Sequence, residues 1–310
     1  MILSISRRTD IPAFYSEWLV NRFNAGFVYV KNPFNANQIS SIDLTENIDG
    51  IVFWSKNPQP LMKYLPLFKD IPYYFQFTLN SYDTTLENSV PEKKILIHTF
   101  KALSDLIGPE RVIWRYDPII LTDRFTIDYH KRYFEIIAEK LEGYTEKCVI
   151  SFVDMYKKCQ ENMKDILITT IDQNTVLTLS KYISDVAGSH AMTTESCAEP
   201  YDLESVGIQH GKCVDDTLLE RIGSYKLQVG KDKNQRKECG CVSSIDLGTY
   251  NTCMHRCRYC YANSHAELVK RNYNNHRKDS SLLIGTPGAK DFIRKKEMRS
   301  LRISQKTFDL

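Results

Sequence analysis

The sequence predicts an α/β fold, a full or partial (β/α) TIM-like barrel, and two observations support this prediction. First, short apolar runs alternate with longer amphipathic segments through the first 230 residues. Strands that alternate with helices usually pair in parallel and are covered by those helices. Second, polar clusters follow several of the apolar runs, and a barrel places its chemistry at the carboxyl ends of its strands. The length of 310 residues suits a barrel.

Six apolar runs are predicted as strands, and a seventh, Ser189–Thr194, is a weaker candidate. The six are Ile2–Ser6, Phe27–Val30, Gly50–Trp54, Tyr73–Leu79, Val112–Tyr116 and Cys148–Val153. Apolar residues at helical spacing predict helices at Glu17–Ala25, Gln59–Phe68, Pro91–Leu106, Asp128–Leu141 and Asp172–Val186. Near the C-terminus, a further strand is expected at Ser243–Leu247 and a helix from about Asn263 to Tyr273.

Five polar clusters follow the predicted strands, and four of them contain proline, which cannot donate to a sheet and favours an exit turn. The clusters are Ser6-Arg7-Arg8-Thr9-Asp10-Ile11-Pro12, Asn32-Pro33-Phe34, Ser55-Lys56-Asn57-Pro58, Thr78-Leu79-Asn80 and Arg115-Tyr116-Asp117-Pro118. Each could merely stabilise a strand-to-loop junction. Their recurrence at corresponding strand ends favours one shared mouth.

Three cysteines near the C-terminus, Cys253, Cys257 and Cys260, have the spacing C-x3-C-x2-C. Three thiolates at this spacing can bind three irons of a [4Fe–4S] cluster and leave the fourth iron open to a small molecule. A zinc site would need a fourth ligand and more often has two paired arms. The region 231–310 is therefore expected to be a cysteine-rich iron–sulfur segment that completes the barrel portion, 1–230, and ends in a basic tail.

The remaining six of the nine cysteines divide into two kinds. Cys148 and Cys159 are expected to be packed apolar residues or incidental thiols. Four others are candidate ligands of a second iron–sulfur cluster: Cys197, Cys213, Cys239 and Cys241. Alternatively, they are reduced, buried and unrelated, because spacing alone cannot join residues so far apart in sequence.

Composition and the length of the apolar runs indicate the expected cellular compartment and the kind of binding partner. The apolar runs are too short to span a membrane, and Arg7 and Arg8 follow the first apolar residues in an order unlike that of a signal peptide. An odd number of cysteines without a secretory signal favours the reducing cytoplasm. Residues 231–310 carry 17 Lys and Arg against 8 Asp and Glu. This excess is either a solvated basic tail or a surface for an anionic partner such as nucleic acid.

The segment Cys253-x3-Cys257-x-Tyr259-Cys260 resembles the signature of the radical S-adenosylmethionine superfamily. The whole chain also resembles an uncharacterised bacterial family, a domain of unknown function, that has this cluster motif near its C-terminus. The motifs Ser55-Lys56 and Arg115-Tyr116-Asp117-Pro118 are similar to strand-end turns of the spore photoproduct lyase-like branch. In the superfamily the cysteines follow the first barrel strand. Their late position here suggests a circular permutation, in which Ser243–Leu247 is the first strand and Ile2–Ser6 the second.

The resemblance implies roles for particular residues. Tyr259 would contact the adenine of S-adenosylmethionine, with Asn57 a further cofactor-binding residue. Candidates for binding the methionine carboxylate or an anionic substrate are basic residues, because a guanidinium matches carboxylate geometry. They are Arg7, Arg8, Lys56 and Arg115. Asp10 and Asp117 would bind ribose hydroxyls or the amino group, or merely hold those arginines.

Three functions remain open at this point. The first is an enzyme that generates a carbon radical from S-adenosylmethionine, with an electron donor such as flavodoxin or ferredoxin and an unknown substrate. Nucleic acid is conceivable as that substrate but is not favoured. The second is a non-radical iron–sulfur protein for electron transfer or redox sensing, in which Cys239 or Cys241 completes the cluster. The third is a zinc-stabilised binding module.

Overall fold

The structure is a computed structural model that describes residues 1–303. Its strands are β1 (Ile2–Ile5), β2 (Phe27–Asn32), β3 (Asn35–Asp43), β4 (Gly50–Ser55), β5 (Tyr73–Thr78), β6 (Val112–Ile119), β7 (Lys147–Phe152), β8 (Thr193–Ser196), β9 (Gln209–His210), β10 (Ile245–Asp246) and β11 (Phe292–Lys295). Its α-helices are α1 (Ile11–Phe14), α2 (Ser16–Ala25), α3 (Gln59–Met62), α4 (Lys93–Ile107), α5 (Ile127–Leu141), α6 (Lys157–Asn162), α7 (Gln173–Ser189), α8 (Asp216–Gly223) and α9 (Ala266–Asn274). Short 3-10 helices cover Leu65–Phe68, Pro109–Arg111 and Glu204–Val206.

Eight strands form one sheet in the order β10-β1-β4-β5-β6-β7-β8-β9. Every neighbouring pair in this sheet is parallel. The fold is therefore α/β with a large parallel sheet, as the alternation of strands and helices predicted. Strands β9 and β10 are the two edges and do not pair with each other within residues 1–303, so the sheet does not close into a full barrel.

The late strand β10 lies beside the first strand of the chain. Leu3 pairs with Ile245 and Ser4 with Asp246, in parallel. On its other side β1 pairs with β4. The sheet order therefore has the strand before the cysteine motif first and β1 second, which is the order that a circular permutation requires.

The two faces of the sheet carry two different apolar layers, because side chains alternate between faces along each strand. The face toward the helices holds Leu3, Phe53 and Phe75 in a large core that includes residues of α2, α4, α5 and α7. The opposite face, called here the inner face, holds Ile2, Val52 and other residues packed against segment 213–242. Burial on both faces explains why these strands read as nearly continuous apolar runs.

The predicted strand Phe27–Val30 exists as β2, but it lies outside the main sheet. It pairs antiparallel with β3, and β11 adds to the other side of β3. Asn32-Pro33-Phe34 is therefore part of a hairpin connection and not of a mouth at the end of a parallel strand. Sequence reasoning missed β3 because its polar residues, among them Asn35 and Gln38, obscure the strand pattern.

Other differences concern short or shifted elements. Helix α7 continues to Ser189, so the weak seventh strand begins only at Thr193. The predicted helix Gln59–Phe68 divides into α3 and a 3-10 turn, with Pro66 in the second piece. Helices α1 and α8 and strand β9 were missed because such short segments carry too little periodicity.

The C-terminal region is divided between the two sheets. Strand β10 joins the main sheet, whereas β11, from the expected basic tail, is exposed and joins β3. Residues 304–310 of that tail lie outside the described residues. None of the helices described in residues 1–303 combines the length and the apolar character needed to cross a membrane.

Candidate metal centre

The loop that carries Cys253, Cys257 and Cys260 joins β10 to α9, so it leaves the carboxyl edge of the main sheet. The loops after β1 and β4 leave the same edge, because all eight strands are parallel. At Gly248, just after β10, a side chain would overlap the Ser6 hydroxyl at the end of β1. Glycine therefore lets the two strand exits approach closely.

The three motif thiols lie close enough to one another to interact electrostatically. Burial, followed by the nearby Cys260 and Cys257 sulfurs among other groups, raises the pKa of Cys253. Burial also raises the pKa of Cys257 to about 12, although the Lys56 ammonium group opposes this effect. The thiols would ionise readily only if a cation compensated the charge. Three thiols are the donor type that iron–sulfur clusters use, and the cluster itself stays a prediction.

Asp10 ties the cysteine loop to the sheet. His255, between the first two motif cysteines, donates through Nε2 to Asp10 Oδ2 at 2.9 Å. The same carboxylate accepts from Ser55 Oγ at 2.8 Å and from the backbone N–H of Lys56 at 2.7 Å. It also caps α1 by accepting from the Ala13 N–H. Asp10, predicted as a site residue, therefore lies at the centre and makes protein contacts that position the loop.

Glu87 is a buried charge that sequence reasoning missed. Its side chain accepts from Lys56 Nζ at 2.7 Å and contacts Lys93 Nζ and the Tyr259 hydroxyl. Burial alone would raise the pKa of Glu87, but Lys56 and Lys93 overcome it and lower the pKa to about 2. The residue is 2% exposed. It lies in a loop without a recognisable motif, so nothing in the sequence singled it out.

The loop around Glu87 also pairs with the cysteine loop through its backbone. Glu87 and Cys257 form an isolated antiparallel bridge. Ser89 N–H donates to the His255 carbonyl at 3.0 Å, and Arg258 N–H donates to the Leu86 carbonyl at 2.9 Å. These bonds fix the cysteine loop over the ends of β4 and β5.

Tyr259, predicted to contact adenine, is buried beneath the loop. Its hydroxyl binds Glu87 and accepts from Asn80 Nδ2 at 3.2 Å. Its ring lies edge-on to Tyr82, and Lys56 Nζ is 5.6 Å from the ring centroid. These contacts give the side chain a part in holding the loop, and its contact with adenine stays a prediction.

Arg7 and Arg8 lie beside the exit of β10. The Arg7 backbone N–H donates to Asp246 Oδ2 at 2.8 Å, and its Nη2 donates to Ser244 Oγ at 3.3 Å. Arg8 Nη1 donates to the Gly248 carbonyl at 3.4 Å. In the loops after β1, β4 and β10, four buried polar atoms have no protein partner: Arg7 Nη1, Asn57 Oδ1, Thr9 Oγ1 and Asn263 Oδ1. They are the kind of group that a polar ligand satisfies.

Arg115 and Asp117 lie on the inner face of the sheet, where β6 ends. Arg115 binds Asp117 through Nε and Nη2, and its Nη1 donates to Cys213 Sγ at 2.8 Å. The residue is 4% exposed. Arg115 was predicted to face the same cavity as Cys257, but its sulfur neighbour is Cys213. The Asp117 carboxylate is one of the charges that raise the pKa of Lys56. Asp117 therefore lies near both Arg115 and Lys56.

The four other candidate ligands come together on the inner face. Cys213 Sγ is 3.1 Å from Cys197 Sγ. Cys241 lies close enough to Cys213 and to Cys239 for these thiols to shift one another's pKa values. These four residues are called here the four-cysteine group. Spacing along the sequence could not establish that these cysteines meet, and the fold brings them together.

Cys148 and Cys159 have different surroundings. Cys148 is fully buried on the helix-facing side of β7, in the core as predicted. Cys159 is also buried, but it packs near the motif cysteines and donates to the Tyr259 carbonyl at 3.0 Å. Its pKa is raised to about 11 by burial and then by the nearby Cys260. Cys159 is therefore a neighbour of the candidate centre.

In the part of the chain that the structure describes, no three or more His, Cys, Asp or Glu side chains are arranged so that they could hold a metal ion as they stand. In the four-cysteine group, Cys197 Sγ and Cys213 Sγ are in contact at 3.1 Å. Ligation in either group therefore requires cysteine side chains to adopt other rotamers, which differ by rotation about one bond.

Residues 2–262 of the chain match the family described as a domain of unknown function, DUF1848. The chain belongs to this family. The match ends just after Cys260 and includes all nine cysteines. No curated protein matches the chain. Membership of an uncharacterised family agrees with the resemblance that the sequence motifs indicated.

Proposed function

We propose that this protein is a radical S-adenosylmethionine enzyme built on a permuted, partial (β/α) barrel. The observation that carries the proposal is the position of the three motif thiols. They share one loop at the carboxyl edge of the sheet, whereas Cys239 and Cys241 lie in the four-cysteine group beside Cys213. The two residues expected to complete the cluster in an electron-transfer protein are thus engaged elsewhere. A fourth iron would remain available to a small molecule.

A [4Fe–4S] cluster held by Cys253, Cys257 and Cys260 would supply the electron that cleaves a sulfonium C–S bond of S-adenosylmethionine. The protein's own task is then to position the cofactor and to exclude water. Asp10, through His255, and the backbone pairing of the loop with Leu86 and Ser89 hold the three thiols in place.

Charged residues around the loop prepare it for a zwitterionic ligand. Lys56 and Lys93 share the buried Glu87, so these three side chains carry a net positive charge close to Cys257. That charge offsets thiolate charge and attracts a carboxylate. Arg7 and Asn57 contribute two of the unpartnered polar atoms described above, which could bind the carboxylate and amino groups of the ligand. Asp117 remains a candidate for the ribose hydroxyls.

The proposed chemistry requires a one-electron donor, such as a flavodoxin or ferredoxin, and a substrate of unknown class. The exposed strand β11, with its basic residues Arg294 and Lys295, would form the surface to which an anionic partner binds. Nucleic acid is one such partner and is not favoured over others.

A second candidate function rests on Cys159. Its thiol lies near Cys260 and donates to the Tyr259 carbonyl. If Cys159 were a fourth thiolate ligand, the cluster would be closed, and the protein would transfer electrons or sense redox state. A zinc-stabilised module is the third candidate and would be colourless.

The test is anaerobic reconstitution with iron and sulfide, followed by electron paramagnetic resonance of the reduced protein with and without S-adenosylmethionine. We expect a cluster spectrum that changes when S-adenosylmethionine is added. The variant Cys159→Ser should keep both the cluster and this change. A wild-type spectrum insensitive to S-adenosylmethionine, together with loss of the cluster in Cys159→Ser, would replace the proposal with the electron-transfer function.

A further inference from the structure

The four-cysteine group gathers thiols from three separate segments. Cys197 follows β8, Cys213 follows β9, and Cys239 and Cys241 come from the segment before β10. All four lie in or against the apolar layer of the inner face. Thiols from unrelated loops rarely meet by chance in one apolar layer, since any apolar residue would fill such positions equally well.

The backbone is shaped to bring these loops together. A side chain at Gly240, between Cys239 and Cys241, would lie 2.7 Å from the Gly211 carbonyl oxygen. A side chain at Gly211 would itself collide with Glu195 and the Ser196 carbonyl. Two glycines therefore allow the Cys-Gly-Cys turn to pack directly on the segment that leads to Cys213.

Neighbouring cysteines and burial raise the pKa values of the free Cys197, Cys213 and Cys241 thiols. Two hydrogen-bond donors are nevertheless placed to stabilise thiolates that form on metal binding. Arg115 Nη1 donates to Cys213 Sγ at 2.8 Å, and the Val214 backbone N–H donates to Cys241 Sγ at 3.3 Å. Four thiolates around a dication or around a [4Fe–4S] core would carry a net negative charge. A buried guanidinium and a peptide N–H are the donors that stabilise such a charge.

We propose that Cys197, Cys213, Cys239 and Cys241 bind a second soft-metal centre, a single zinc ion or an iron–sulfur cluster, separate from the motif cysteines. Each ligating thiol releases its proton to solvent, and no electron is transferred. The centre would fasten segment 211–242 to the inner face of the sheet. It has all four protein ligands and no open position, so its part is structural or electron-relaying. The inference does not depend on the proposed function.

The first experiment uses the wild-type protein, purified anaerobically. Cysteines are alkylated before and after metal removal with a chelator that strips both zinc and iron, and the modified positions are mapped by mass spectrometry. We expect labelling of all four residues to increase at least severalfold after metal removal, whereas Cys148 changes little. Equal labelling with and without the chelator, at any level, would overturn the proposal. So would a disulfide between Cys197 and Cys213 in the untreated protein.

The second experiment compares the double variant Cys239→Ser/Cys241→Ser with Cys148→Ser, each checked for a folded circular dichroism spectrum. Zinc and iron per chain are measured after reconstitution. The double variant should lose either about one zinc or about half of the iron, and which metal is lost identifies the centre. The spectrum of the remaining cluster should still respond to S-adenosylmethionine if the proposed function holds. Metal content equal to that of Cys148→Ser would contradict the second centre, whatever the first centre does.

Discussion

The two cysteine groups differ in the groups that surround them. The motif cysteines lie at the carboxyl edge of the sheet among charged side chains, with the buried Glu87 paired to the partly buried Lys56 and Lys93 beside Cys257. The four-cysteine group lies on the apolar inner face, with Arg115 as a neighbouring charge. A polar, charged edge is suited to binding a small ligand, whereas an apolar layer is suited to holding the fold. This contrast is the basis on which we propose a reactive centre at the edge and a structural one inside.

The strongest test of this contrast removes one motif ligand. Cys257→Ala should abolish the response of the cluster spectrum to S-adenosylmethionine, because each thiolate is an irreplaceable soft ligand. Electron paramagnetic resonance and iron content measure the effect. The matched control is Cys148→Ala, which lies in the helix-facing core and should leave both unchanged. If Cys257→Ala kept the iron content and spectrum of the wild type, Cys257 would not be a ligand.

The next test addresses the charged edge. Glu87→Gln leaves the partly buried Lys56 and Lys93 without their counter-charge, so the free energy of unfolding should fall by up to about 3–5 kcal/mol. Urea unfolding measures the change. Asp185→Asn serves as the control, because its pair with Lys181 has both side chains more than half exposed and should contribute at most about 0.5 kcal/mol. Similar losses in the two variants would mean that the edge is more solvated than the structure indicates.

A third test determines how the stability of the fold depends on pH through a group other than the cysteines. His130 is fully buried on the helix-facing side, and burial lowers its pKa to about 4. The unfolded chain therefore binds a proton near pH 6.5 that the folded protein does not. Stability should be complete above this pH and fall by up to about 3 kcal/mol as the pH drops from 6.5 to 4.

The variant His130→Gln removes this titration and should flatten the stability profile over the same interval, although it will lower stability at neutral pH. The hydrogen bonds at stake are from the Tyr116 hydroxyl to Nδ1 at 2.8 Å and from Nε2 to the Ile120 carbonyl at 3.0 Å. Thermal unfolding at several pH values checks this. An unchanged slope in the variant would assign the pH dependence to other groups, the cysteines among them.

The smallest effect concerns the close approach of β10 to β1 that positions the motif loop. Gly248→Ala places a methyl group against the Ser6 hydroxyl and should cost about 1–3 kcal/mol. Gly188→Ala, in α7, meets nothing within contact distance and should stabilise the protein by up to about 1 kcal/mol. Thermal unfolding distinguishes the two signs. A neutral Gly248→Ala would show that the strand exits can separate.

Much of the candidate edge site could be predicted because its parts are local. The cysteine spacing lies within one loop, and the clusters at Arg7 and Lys56 each follow a strand directly, whereas the cluster at Arg115 lies within β6. A parallel sheet then brings such strand ends to one edge. Glu87 could not be predicted in this way. Its contacts with Lys56 and Tyr259 join residues that are distant in sequence, and its contact with Lys93 belongs to no recognisable motif.

The amino-acid sequence by itself determined the strand–helix alternation, five of the main strands close to their observed bounds, and the three clustered thiols. These features depend on side-chain periodicity and on neighbours a few residues apart. Only the tertiary structure decided that β2 leaves the main sheet, that β10 lies beside β1, and that Cys197, Cys213, Cys239 and Cys241 meet. Strand order and long-range contacts depend on which apolar faces bury each other, and that competition involves the whole chain at once.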